Sequence, residues 1–305
     1  MEPNMITTAF RRLALLVAAT VLAVPAQAGE PPRVVATFSV LADMTRQVAG
    51  DHVRVETLAP AGAEVHEHEL SPSDFVNIER AELILANGYR LEQWMDQLET
   101  AAGADVPIIA IAEVTGADTL PITVGDFEGD PDPHLWMNPA IAVAYVEVIA
   151  EALAELVPDA EAALRANAQA YADDIVLAAE EAAGMLADVP EDQRLLVTSE
   201  AAFLYFADAF GWRHEGVWGS NAETEGTPSQ IERIVDLVEA EGPRAIFFES
   251  TISDRHVRAV AEDTGVAVHG PLHVDSLGPE GTGAETYPGM LRVTARTIAE
   301  AMASE

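Results

Sequence analysis

Four short segments of this 305-residue sequence carry side chains able to bind a metal ion, each beside an expected strand end. The first reads Glu64-Val65-His66-Glu67-His68-Glu69-Leu70-Ser71-Pro72-Ser73-Asp74. A histidine flanked by carboxylates offers an imidazole nitrogen to a divalent cation. His66 and His68 are two positions apart, so they share a side on an extended chain and separate if the loop bends. The second reads Asp130-Pro131-Asp132-Pro133-His134-Leu135-Trp136-Met137-Asn138-Pro139. Its prolines stiffen the approach to His134 and lower the entropic cost of presenting a ligand. Trp136 is suited to wall such a site from water.

The third segment, Thr198-Ser199-Glu200, ends an expected buried strand, and Glu200 is expected to open a helix whose dipole favours a carboxylate. The fourth runs Gly270-Pro271-Leu272-His273-Val274-Asp275-Ser276, with Asp275 just past the last expected strand. Each segment alone also reads as ordinary structure: a polar loop, a helix start, a strand end or a turn aspartate. The sequence contains no cysteine, which removes disulfides, thiolate ligands and a cysteine for lipid modification. Any metal must therefore be held by nitrogen and oxygen.

The elements that must carry these segments alternate between strand and helix. Arg33 to Val40 leads into a helix over 41–48, stopped by Gly50. Strands are expected at 53–58, 83–86 and 108–111, with helices at 73–80 and 91–102. Pro139 to Leu156 is a helix with proline in its first turn. Asp159 to Leu186 has no internal proline and reads as one helix of roughly 40 Å, or as two shorter helices with a hidden break. The rhythm then resumes: strands at 195–198, 245–248 and 266–268, helices at 202–210, 228–240, 255–264 and 287–302. This pattern predicts an α/β fold of two lobes, each with a parallel-type sheet flanked by helices, joined by the long helix. Ligand sites of such folds lie in the cleft at strand C-terminal ends.

At the N-terminus, Arg11-Arg12 precedes the 12-residue apolar run Leu13 to Val24 and the Ala26-Gln27-Ala28 triplet. That is the pattern of a secretory signal peptide cut after Ala28 and too short to span a bilayer, so a periplasmic location is expected. The expected organisation is a signal peptide at 1–28, lobes at 29–158 and 188–305, and a linking helix at 159–187. The formal charge is −35 and every basic residue is arginine. So acidic a chain repels phosphate backbones and argues against nucleic acid as a partner. The charge also fits a demand for solubility or a salty habitat, so it does not by itself identify a cation carrier.

Taken together, the four segments resemble the metal-binding solute-binding proteins of ABC importers for manganese, zinc and iron, a family built on a long backbone helix. The resemblance spans nearly the whole chain after residue 28. It rests on Glu64-Val65-His66-Glu67-His68-Glu69-Leu70, on Pro133-His134-Leu135-Trp136, on Glu200-Ala201-Ala202-Phe203-Leu204-Tyr205-Phe206 and on Asp275-Ser276. Segments like Glu225-Gly226-Thr227-Pro228-Ser229-Gln230-Ile231 and Phe248-Glu249-Ser250 also accompany the family. The resemblance implies His66, His134, Glu200 and Asp275 as metal ligands. It implies a monomeric, non-catalytic protein that captures a divalent ion in the interlobe cleft and passes it to an ABC importer permease.

Glutamate at the third ligand goes with manganese or iron in that family, and histidine there with zinc. The expected cargo is therefore Mn²⁺, with Zn²⁺ or Fe²⁺ as alternatives. The first motif departs from the family by lacking Asp-Pro and by carrying His68 where an aromatic is common, leaving open whether His68 also binds. The His-rich loop of zinc importers is missing. His273 is a candidate helper of Asp275. His52, His214, His256 and His269 read as surface or core histidines. A periplasmic metallohydrolase is the remote alternative, since two histidines and a carboxylate can leave a position for water.

Overall fold

The structure, a computed structural model, describes residues 30–220 and 226–303. The expected signal peptide and Glu225 lie outside the described residues.

The first lobe is a four-stranded parallel sheet in the order β2-β1-β3-β4, formed by β1 (Arg33–Phe38), β2 (Arg54–Ala59), β3 (Leu83–Ala86) and β4 (Ile108–Ala110). The apolar runs Val34-Val35-Ala36 and Leu83-Ile84-Leu85-Ala86 are buried, as parallel strands covered on both faces require. Helices α1 (Ser39–Ala49), α2 (Pro72–Glu79), α3 (Met95–Ala102) and the short α4 (Ile111–Val114) alternate with these strands. Next come α5 (Pro139–Leu156) and α6 (Glu161–Ala187).

The second lobe pairs β5 (Leu195–Glu200) with β6 (Arg213–Trp218), and β7 (Ala245–Glu249) with β8 (Ala267–Leu272), both in parallel. β5 lies against β7. Helices α7 (Leu204–Phe210), α8 (Pro228–Glu241), α9 (Arg255–Thr264) and α10 (Tyr287–Ala303) complete the lobe.

The long segment is one unbroken 27-residue helix, α6, and not two. Leu164, Ala168, Tyr171, Ile175, Ala178, Ala182 and Leu186 form its buried stripe at helical spacing. That stripe packs on α1 and α5 of the first lobe and on α10 of the second. One large apolar cluster consequently runs through both lobes. Within it, the buried Asp43 carboxylate accepts Tyr171 Oη at 2.6 Å and Tyr287 N at 2.8 Å, tying α1 to α6 and α10. Asp43→Ala leaves both donors unpaired and is expected to lower unfolding stability by about 2–4 kcal/mol. Denaturant unfolding of the metal-free protein checks this; a loss below about 0.5 kcal/mol removes Asp43 from the interlobe framework.

Boundaries differ from the sequence expectation where side chains or unusual backbone decide them. α2 starts at Pro72 because Ser71 and Asp74 form a capping box. α3 starts at Met95 rather than at residue 91, after a turn that begins with Gly88, Tyr89 and Arg90, all of positive φ. The segment expected to extend β4 through Ile111 instead turns there into α4. β6 was not anticipated. It begins with the polar run Arg213-His214-Glu215 and becomes a strand through its pairing with β5. Among the described residues, no helix is long and apolar enough to cross a membrane.

Candidate metal centre

His66 sits in the connection between β2 and α2. The Glu64 carboxylate accepts both His66 N and Glu67 N at 2.7 Å, which bends the loop. Trp94 Nε1 donates to Val65 O at 2.8 Å and fixes the bend against the first lobe. The bend separates the two histidines. His68 lies over Trp94, with ring centroids 5.5 Å apart and its Nε2 3.6 Å from Asp74 Oδ2. His66 turns instead toward His134, with ring centroids 5.5 Å apart.

His134 precedes a single 3₁₀ turn, Leu135–Met137, that leads into α5. Asp132 Oδ1 accepts the His134 backbone N at 2.9 Å and meets its Nδ1 at 3.1 Å. With Nδ1–H donated there, Nε2 carries the free lone pair. Asn87 holds the same segment from the first lobe: its Nδ2 donates to Pro133 O at 2.9 Å, and its Oδ1 accepts Tyr145 Oη at 2.7 Å. Trp136 is fully buried 5.2 Å from the His134 ring and donates to Val274 O at 3.2 Å. The aromatic wall thus also fixes the residue before Asp275.

Glu200 closes β5, and α7 begins four residues later at Leu204. The expected placement of Glu200 at a helix N-terminus is therefore corrected, because the chain needs Ala201 to Phe203 to turn from strand to helix. The β5 end is held instead by the buried Glu249 carboxylate, which accepts Glu200 N at 2.9 Å and Ser199 N at 3.3 Å. Burial pushes the Glu249 carboxyl up to about 8.

Asp275 follows β8. Its neighbour Ser276 accepts Gly62 N at 2.5 Å, and Ser39 Oγ accepts Leu277 N at 3.0 Å. The Asp275 turn is therefore tied both to the His66 loop and to the start of α1.

These elements bring all four expected residues together in the buried interior between the lobes. His66 Nε2 lies 3.5 Å from Glu200 Oε1 and 3.9 Å from Asp275 Oδ2, and His134 Nε2 lies 3.2 Å from Asp275 Oδ1. Donors around one ion at bonds of about 2.1 Å stand about 3.4 Å apart in a tetrahedron, so the spacing suits a single cation. Among the described residues, both ring nitrogens of His66, His134 Nε2 and both Asp275 oxygens are buried without a hydrogen-bond partner. Unpaired buried atoms of this kind cost about 1–3 kcal/mol each. Such a concentration marks a place built for a ligand.

Burial opposes the charged form of each histidine. Glu200 and Asp275 outweigh it at His66, and Asp132 and Asp275 outweigh it at His134, so both titrate above the ordinary imidazole range. Burial, offset by the neighbouring histidines and reinforced by Asp275, pushes Glu200 up to about 7. Asp275 goes the other way. Burial is outweighed there by His134 and His66, which hold its carboxyl below the usual range.

His273 meets Ser250 Oγ at 3.0 Å rather than any of the four donors. His214 is buried beside Thr198, at 2.7 Å, and burial pushes it down to about 3, so it is a neutral core histidine as expected. Three positioning residues, Asn87, Asp132 and Glu249, carried no assigned role in the sequence. The available signal for Asn87 and Glu249 was a polar residue directly after an apolar strand run.

The model of the periplasmic zinc-uptake complex component A (ZnuA) family matches residues 34–301. The chain belongs to this family. It is 37% identical over 276 residues to the iron-binding protein YfeA of Yersinia pestis, covering 90% of this chain and 88% of that one. It is 37% identical over 264 residues to the manganese-binding lipoprotein MntA of Halalkalibacterium halodurans, covering 87% and 86%. Among solved structures, it superposes on the manganese-bound periplasmic metal binding protein from Candidatus Liberibacter asiaticus with a TM-score of 0.80 and 30% identity, covering 89% and 99%. It superposes on the periplasmic zinc binding protein TroA from Treponema pallidum with a TM-score of 0.82 and 27% identity, covering 90% and 100%.

This ZnuA-family chain is therefore a metal-binding, substrate-binding protein of an ABC transporter, and the family consists of solute-binding proteins rather than enzymes. Its family functions with an ABC transporter permease and ATPase, and its homologues are lipoproteins or periplasmic binding proteins, which implies an extracellular or periplasmic location.

Proposed function

We propose that His66, His134, Glu200 and Asp275 together hold one divalent transition-metal ion, Mn²⁺, as cargo in the periplasm. The observation that carries this reading is the convergence of two buried imidazoles and two buried carboxylates from four distant segments. Two ionised carboxylates neutralise a divalent charge, and neutral imidazoles complete the shell. With four protein donors the shell is filled, which suits carriage rather than hydrolysis. Carboxylates can also bind through both oxygens and raise the coordination number above four, which favours Mn²⁺ or Fe²⁺ over tetrahedral Zn²⁺. The manganese- and iron-binding names of relatives at 37% identity support the same choice.

On this reading, residues 29–158 and 188–305 are the two lobes of a monomeric carrier whose signal peptide is removed after Ala28. The helix over 159–187 limits their relative motion. The permease opens the site and receives the ion.

The test is competition titration of the mature protein with Mn²⁺, Fe²⁺ and Zn²⁺. Zn²⁺ outranks Mn²⁺ at most nitrogen and oxygen sites, so the informative quantity is the change in ratio on substitution. Glu200→His is expected to shift the Zn²⁺ over Mn²⁺ affinity ratio toward zinc by about 10-fold or more. An unchanged ratio overturns manganese as the cargo. Asp132→Ala frees the His134 ring and is expected to weaken Mn²⁺ by about 10- to 100-fold, read in the same titration. An affinity within about 2-fold of the wild type would show that His134 needs no carboxylate to orient it.

A further inference from the structure

We infer that Ser220 is a positioning residue that locks Glu200 and His134 into one unit, acting through Asp132. The inference rests on the metal-site reading above. The Ser220 hydroxyl is buried two residues after the end of β6. It lies 2.5 Å from Asp132 Oδ2 and 2.8 Å from Ala201 O. Ala201 directly follows Glu200, and the other oxygen of Asp132 holds both nitrogens of His134 that face it. One hydroxyl thus stands between the backbone of the residue after one proposed ligand and the carboxylate that orients another.

The path to this position is narrow. A Cβ at Gly219 would fall 1.7 Å from Val124 O, and one at Gly216 would fall 2.4 Å from Ala201 N. Only glycine at these places lets the end of β6 approach Ala201 and the 122–124 segment this closely. Tyr205 braces the same junction, accepting Leu120 N at 2.9 Å and donating to Asp132 O at 3.1 Å.

A serine hydroxyl has a single proton, which two acceptors here share. Moving either segment by about 1 Å breaks one arm, since such bonds weaken beyond about 3.2 Å. Ser220 therefore holds Asp132 in register only while the Glu200 segment stays in place. His134 and Glu200 are offered to the ion together.

The experiment titrates Mn²⁺ into the full mature chain carrying Ser220→Ala, and into Ser220→Cys, which keeps the volume but donates weakly. Each is expected to lower Mn²⁺ affinity by about 10-fold, with the metal-free melting temperature within about 2 °C of wild type. Combined with Asp132→Asn, Ser220→Cys is expected to add less than about 2-fold, because the carboxylate it acts on is already gone. Nitrogen NMR of the metal-free protein, at a pH high enough for the His134 ring to be neutral, is expected to show its proton confined to Nδ1 in wild type and shared between tautomers in Ser220→Cys. Tight wild-type binding left unchanged by Ser220→Cys, or losses that simply add with Asp132→Asn, overturn this inference alone. Absence of tight divalent binding by the wild type overturns the metal-site reading and this inference with it.

Discussion

His134→Ala is expected to weaken divalent-metal binding by at least about 100-fold, a loss of about 2.7 kcal/mol or more. The ring is fully buried and supplies the nitrogen aimed at Asp275. Its removal deletes one donor and leaves the carboxylates of Asp132 and Asp275 facing each other across a gap with no cation between them. Two like charges in such a place repel and drive proton uptake rather than metal uptake. Asp275→Ala is expected to do comparable damage, since it withdraws a negative charge as well as a donor.

His68→Ala is the informative control. That ring lies over Trp94, outside the cluster, and its loss is expected to change affinity by less than about 3-fold. Isothermal titration or competition with a fluorescent chelator reads all three variants. Retention of wild-type affinity within about 10-fold in His134→Ala removes that residue from the ligand set and with it the proposed centre.

The second large effect is on pH. Metal binding requires both imidazoles neutral and both carboxylates ionised. His66 and His134 titrate above the ordinary 6.5 in the metal-free protein, because Glu200, Asp132 and Asp275 outweigh the burial that opposes their charging. Glu200 takes up its proton at about 7, whereas Asp275 stays ionised. Protons therefore compete with the ion already near neutrality. Each imidazole costs at least about 1.5 decades of apparent affinity between pH 6.5 and pH 5, so a total fall of at least about 1,000-fold is expected from pH 8 to pH 5.

The metal-free fold carries the opposite sign. Groups whose folded pKa is raised contribute stability that is present below their ordinary values and lost as pH rises through the folded ones. For Glu200 that loss falls between its ordinary 4.5 and about 7, and for His66 and His134 from the ordinary 6.5 upward. The metal-free protein should thus be more stable near pH 6 than near pH 8, while added Mn²⁺ should raise the melting temperature more at pH 8 than at pH 6. Melting curves with and without Mn²⁺ at pH 5, 6, 7 and 8 measure both trends. An affinity and a metal-induced shift that are flat across this range rule out histidine ligation.

Much of the architecture was legible before any coordinates. The α5 bounds, the unbroken α6 and the alternation of strand and helix are local properties, written in hydrophobic period and in the placement of proline and glycine. Residues 66, 134, 200 and 275 stood out because imidazole and carboxylate beside strand ends are the chemistry of a cation site and because their flanking motifs resembled a known family.

What no local pattern contained were the relations across long sequence distance. Only the bend imposed by Glu64 separated His66 from His68. Only pairing with β5 made a strand of the polar run at Arg213. Asp132, Ser220 and Asn87 gained their roles when partners up to 88 residues away arrived beside them. Sequence determined which donors were offered and on which elements, because side-chain chemistry and periodicity are carried residue by residue. Tertiary structure decided which donors meet and which protons they hold, because distance, burial and opposing charge exist only after the lobes have packed.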